Sequence, residues 1–166
     1  MTPQREKRGS ELIARYPDRR SALIPFLQFC QEEDGYVTDQ AIADAAELVR
    51  LTPAEVESVA SFYSLLFRHP VGSHVIQVCR TLACMLCGAD ELQAHIKQRL
   101  GIGHLETTAD GLFTYEEVEC LAACDRAPCL QHNLEFVYDV TPQSFDTLLE
   151  QWRSQPRPAS PMPAEK

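Results

Sequence analysis

Val78-Cys79-Arg80-Thr81-Leu82-Ala83-Cys84 and, further along, Glu119-Cys120-Leu121-Ala122-Ala123-Cys124-Asp125-Arg126-Ala127-Pro128 place four cysteines in two unequal pairs, with four residues between the first two and three between the second. Thiolate sulfur is a soft ligand, and a binuclear iron-sulfur cluster takes four of them, two for each iron. The surrounding pattern says where a fold would hold these pairs. The β-branched run from His74 to Val78 predicts a strand that closes on Cys79. Leu92, Ile96 and Leu100 recur at helical spacing between Gly88 and Gly101, so a helix follows Cys84, which falls in the loop before it. Residues 112–118 and 128–138 give strand-like runs, the second broken at His132-Asn133 as a hairpin turn would break it. Thr141-Pro142 then opens a last helix through Phe145, Leu148, Leu149 and Trp152. The order is β, α, β, β, β, α: a four-stranded sheet flanked by two helices, with both cysteine loops able to meet at one end of it.

The residues ahead of this body read as helices. Leu23, Phe26, Leu27 and Cys30 share one helical face that Gly35 ends. Thr38 caps a second helix, whose apolar face uses Ile42, Ala45, Ala46 and Val49. Thr52, with Pro53 after it and Glu55 three positions on, caps a third. Residues 1–70 are thus expected to form a small bundle of three short helices. Phe62, Tyr63, Leu65, Leu66 and Phe67 close this region and suit core packing or, failing that, a docking surface. Residues 154–166 contain four prolines and no apolar period, the composition of a disordered tail.

Seven cysteines are an odd number, and most cluster between Cys79 and Cys129, unlike a secreted disulfide framework. A chain of 166 residues can bury a core without disulfides. The first residues carry no apolar run, so neither a signal peptide nor a membrane anchor is expected, and a reducing, cytoplasmic setting follows. A net charge of −9, with no basic stripe beyond Arg19-Arg20, argues against nucleic acid as a partner.

Spacing leaves rival uses of the thiols open. Cys79, Cys84 and Cys87 match the plant-type ferredoxin triplet, which would idle one of Cys120 and Cys124. Cys84-Met-Leu-Cys87 before a helix resembles a thiol-disulfide motif, with Pro128 as the cis-proline such a fold uses. Four thiolates would also hold a structural zinc in a binding module, although zinc favours closer pairs. Cys30 and Cys129 read as small buried hydrophobes and Cys87 as a spare thiol beside the cluster. The histidines at 69, 74, 95, 104 and 132 show no ligand spacing. Carboxylates at Glu116, Glu117, Glu119 and Asp125 would disfavour an added electron if they lie close.

The same stretches, with Val59-Ala60-Ser61-Phe62-Tyr63, Phe67-Arg68-His69-Pro70-Val71-Gly72 and Thr107-Thr108-Ala109-Asp110-Gly111-Leu112-Phe113-Thr114, resemble a known family. It is the thioredoxin-like 2Fe-2S subunit of the NADH dehydrogenase module of respiratory complex I, with relatives in NAD-linked hydrogenases and formate dehydrogenases. The resemblance implies an α/β (α+β) fold: a helical bundle over 1–70, a thioredoxin-like ferredoxin domain over 71–153 and the tail. It makes Cys79, Cys84, Cys120 and Cys124 the ligands of one 2Fe-2S cluster. It implies a flavoprotein partner that binds FMN and NADH and exchanges electrons with this cluster, other peripheral-arm subunits beside it, and a place on the cytoplasmic face of the membrane without insertion. Nothing here resembles a Gly-rich phosphate loop, so no nucleotide site of its own is expected. Ala122 stands where the family usually has glycine, and Ser61 where it usually has threonine.

Overall fold

The computed structural model describes residues 1–155. The chain divides into two compact units, Met1–Pro70 and Val71 onward. The expected disordered tail lies outside the described residues from 156 on. Its first residue, Ser154, ends the last helix.

The first unit holds four α-helices: α1 (Pro3–Ala14), α2 (Leu23–Asp34), α3 (Asp39–Val49) and α4 (Pro53–Phe62), with a 3₁₀ turn at Arg19–Ala22. Capping follows the sequence. Thr38 accepts from the Ala41 N–H at 3.1 Å, and Thr52 and Glu55 form a reciprocal capping box. Leu23, Phe26, Leu27 and Cys30 are buried with Ile42, Ala45, Ala46 and Val49 in one core. The expected three helices are four, because α1 buries Arg5, Gly9 and Leu12 and so shows almost no apolar stripe. At Gly9 a Cβ would meet Leu48 at 2.8 Å, so the missing side chain lets the helices close. Arg5 is held by Glu33 (2.9 Å), Asp34 (2.6 Å) and Asp44 (3.0 Å). Burial alone would lower its pKa, but the three carboxylates outweigh that and raise it. Leu66 and Phe67 pack inside, as core packing requires, whereas Phe62 is 81% exposed and Tyr63 45%.

The second unit is built on a mixed sheet of β1 (His74–Cys79), β2 (Glu106–Thr107), β3 (Phe113–Val118), β4 (Leu130–His132) and β5 (Glu135–Val137). Its order is β2-β3-β1-β4-β5, with β1 and β3 parallel and the other pairs antiparallel. The sheet therefore has five strands rather than the expected four. The extra one, β2, is two residues long and lies at an edge, too short to show a period. The two expected helices are α6 (Ala89–Leu100) and α7 (Pro142–Ser154). They set Leu92, Ile96, Phe145, Leu149 and Trp152 against Ile76, Val78, Phe113, Tyr115 and Leu130. Gly101, at φ 69°, ends α6 in the left-handed region that glycine enters without strain. A short helix, α5 (Leu82–Leu86), occupies the stretch around Cys84 that the sequence pattern assigns to a loop. The β4–β5 turn lies at Asn133 and Leu134, both at positive φ, at the expected hairpin break. Among the described residues no helix is long and apolar enough to cross a membrane.

Candidate metal centre

One end of the central strand gathers the thiols. Strand β1 delivers Cys79 as its last residue, and α5, starting after Thr81, carries Cys84 on its inner side while Leu82 and Leu86 face outward at 72% and 79% exposure. The loop after β3 carries Cys120, and a 3₁₀ turn at Cys124–Arg126 carries Cys124. Parallel pairing brings that loop beside Cys79, since Cys79 lies opposite Val118 and the Arg80 N–H donates to the Val118 carbonyl at 3.0 Å. Further on, Arg126 pins the loop. Its guanidinium pairs with Asp139 at 2.7 Å and sits 4.5 Å from the Tyr138 ring centroid. The Ala127–Pro128 peptide leading into β4 is cis, and Val140 donates to the Pro128 carbonyl at 2.9 Å.

Donors converge on the sulfurs. The Thr81 hydroxyl lies 3.2 Å from the Cys79 sulfur, and the Thr81 and Leu121 N–H groups point at the same atom. Burial pushes the Cys79 thiol up, but these donors, helped by Cys84, bring it down to about 7. Burial holds the Cys84 thiol above its ordinary value against the opposing Cys129 N–H, with Cys79 adding to the rise. Cys120 and Cys124 are in contact on the exposed side, and Cys120, with Cys79 and Asp125 behind it, keeps the Cys124 thiol raised. The Ala122 N–H donates to the Cys120 sulfur at 3.3 Å. It does so from φ 59°, which is the conformation glycine would hold without strain.

The structure thus places Cys79 and Cys84 together and sets Cys120 and Cys124 beside each other on the facing loop. Cys87 caps α5 in an exposed position, outside the group of sulfurs that lie within 4.8 Å of one another. Cys129 goes further than the small buried hydrophobe expected of it. Its sulfur lies 3.9 Å from that of Cys84, and Cys79, Cys84 and Cys129 all have sulfurs within 4.8 Å of one another. Antiparallel register explains this: Val78 pairs with Leu130, so Cys79 stands opposite Cys129, whose carbonyl accepts from the Cys79 N–H at 3.2 Å. Sequence alone carries no signal for that register. Of the acidic neighbours, Glu117 is paired with Lys97 at 2.5 Å and Glu119 with Arg80 at 2.9 Å, so their field at the thiols is partly offset.

This donor set fits an iron-sulfur cluster: soft thiols on a strand end, a short helix and the loop after β3, with backbone N–H groups already turned toward sulfur. Comparisons with known proteins agree. Residues 9–153 match the family described as thioredoxin-like [2Fe-2S] ferredoxin. The chain is 44% identical over 146 residues to an NADH-quinone oxidoreductase subunit of Mycobacterium bovis, covering 88% of this chain and 58% of that protein. It is 45% identical to NADH-quinone oxidoreductase subunit 2 of Thermus thermophilus, over 84% of this chain and 78% of the relative. It is 39% identical to an NADH-quinone oxidoreductase subunit of Rhizobium meliloti, over 89% of this chain and 88% of the relative. The chain therefore spans little more than half the length of the mycobacterial relative and most of the other two. Among solved structures, an NAD⁺-reducing [NiFe]-hydrogenase in the H₂-reduced state superposes with a TM-score of 0.72 at 23% identity, over 81% of this chain and 22% of that one, a likeness of fold.

Proposed function

The chain belongs to the thioredoxin-like [2Fe-2S] ferredoxin family, and on that premise we propose that it is the electron-carrying subunit of the NADH-oxidising module of an NADH:quinone oxidoreductase. In this reading Cys79, Cys84, Cys120 and Cys124 hold one 2Fe-2S cluster. When bound, the cluster supplies a site that takes up and gives back one electron with little rearrangement. The chain's own residues do the rest. Thr81 and the N–H groups of Leu121 and Ala122 donate to sulfur and stabilise added negative charge there. Arg80 and Lys97 offset the nearby carboxylates.

The partner is a flavoprotein subunit that binds FMN and NADH, at the cytoplasmic face of the membrane, among other peripheral-arm subunits. Residues 71–153 form the cluster domain and residues 1–70 the docking bundle, with Phe62 and Tyr63 as exposed aromatic anchors of the kind interfaces bury. The observation that carries the reading is the arrangement of two thiol pairs at one end of the sheet with donors aimed at sulfur.

The test is electron transfer with purified components. Alone, the iron-loaded chain should oxidise no NADH. Mixed with its flavoprotein partner, it should be reduced by NADH, seen as bleaching of the visible cluster bands. NADH oxidation by the isolated chain, or no reduction in the reconstituted pair, would overturn the proposal.

A further inference from the structure

We propose that Cys79, Cys84 and Cys129 form a second, mononuclear site for a soft monovalent cation, Cu(I), in the chain before its cluster is loaded. Three sulfurs bound to one ion at about 2.3 Å stand roughly 4.0 Å apart in a trigonal plane. Here Cys84 and Cys129 are 3.9 Å apart and all three lie within 4.8 Å, so side-chain movement of less than about 1 Å completes the triangle. The three come from β1, α5 and the approach to β4; a backbone hydrogen bond joins Cys79 to Cys129, and the Cys129 sulfur touches that of Cys84. The triangle is preformed rather than assembled from mobile loops.

Its surroundings select the ion. Ala89 and Ala123 are buried against the sulfurs, and Leu121 and Ala127 pack over them. The converging group contains no carboxylate or imidazole, which disfavours the hard cations that require oxygen ligands. Zinc held here would need a fourth ligand, a water or another side chain, in this apolar surround, whereas Cu(I) is satisfied by three thiolates in a plane, so Cu(I) is the thiophilic ion the triangle fits best. Each thiol that binds releases its proton to solvent, and no electron moves. Cys79 and Cys84 are also cluster ligands in the reading above, so Cu(I) and the cluster exclude one another. Cu(I) binding stands without that reading; the competition rests on it.

The experiment uses the full chain, prepared without cluster, reduced and kept anaerobic. Cu(I) is titrated against bathocuproine disulfonate, and iron and sulfide loading is measured in parallel on the same proteins. One Cu(I) per chain is expected. Cys129→Ala and the near-isosteric Cys129→Ser should each weaken Cu(I) at least tenfold yet still load the cluster, with Trp152 fluorescence reporting that the second unit is folded. The double variant Cys120→Ser/Cys124→Ser should bind Cu(I) within threefold of the unsubstituted chain and fail to load the cluster. Cu(I) affinity unchanged by both Cys129 variants, or lost equally in the Cys120/Cys124 double variant, would overturn the site. Failure of the unsubstituted chain to load iron and sulfide would instead sink the cluster reading and leave the Cu(I) result standing.

Discussion

Ala122 sits at φ 59° inside the cysteine loop and donates its N–H to the Cys120 sulfur from that conformation. A residue with a Cβ loses about 1–2 kcal/mol in the left-handed region relative to its ordinary wells. Glycine avoids the loss but has more freedom in the unfolded chain, which returns about 0.4–1 kcal/mol. Ala122→Gly should therefore stabilise the second unit by about 0.5–1 kcal/mol. The chain has one tryptophan, Trp152, whose ring lies 4.1 Å from His132 in the second unit, so its fluorescence follows that unit's unfolding. With a urea slope of about 2 kcal/mol per molar, the midpoint should rise by roughly 0.25–0.5 M in the cluster-free protein. A midpoint that stays put or falls would show that the positive φ is relieved in solution, and that the Ala122 N–H is not held toward sulfur as described.

Burial, and then the neighbouring His74, pushes His132 down to about 4, so the folded unit resists a proton that the unfolded chain accepts near 6.5. Stability from this group is intact above pH 6.5 and falls as pH drops from there toward 4. The loss at pH 5 should be on the order of 2 kcal/mol. Urea melts followed at Trp152 should show it, and a His132→Phe variant with the same pH slope would count against it. Replacing Phe62 and Tyr63 together by serine should weaken flavoprotein binding at least tenfold while leaving the far-UV circular dichroism melt within a few degrees. Full affinity in that variant would move the docking surface elsewhere. Cys87→Ser should retain the cluster with at most a shifted potential, since Cys87 is exposed at the end of α5, and loss of the cluster on iron analysis would restore the plant-type triplet.

The parts of this molecule that sequence made legible are those fixed locally. Thr38, Thr52 with Glu55, and Thr141 cap their helices because a hydroxyl and its N–H partner lie within one turn of chain. The strand ending at Cys79 and the helix ending at Gly101 follow from period and punctuation. What escaped depends on distant partners. Helix α1 is kept in place by an arginine whose carboxylates lie on α2 and α3, and Gly9 matters only because Leu48 is opposite. Phe62 and Leu66 look alike as residues, and only packing divides them into exposed and buried. The four cysteines of the resemblance stand out by spacing, whereas Cys129 joins Cys79 and Cys84 through a strand register that no local pattern encodes.

The central claim is that Cys79, Cys84, Cys120 and Cys124 together hold a two-iron cluster. The direct measurement is anaerobic iron and sulfide analysis with electron paramagnetic resonance of the dithionite-reduced protein, for the unsubstituted chain and for Cys120→Ser and Cys124→Ser. The unsubstituted chain should carry about two irons and two sulfides and give a signal from one unpaired electron. Each serine variant should lose the cluster or leave it labile. A colourless zinc-bearing chain without a reduction signal, or an unchanged cluster in either variant, would contradict the claim.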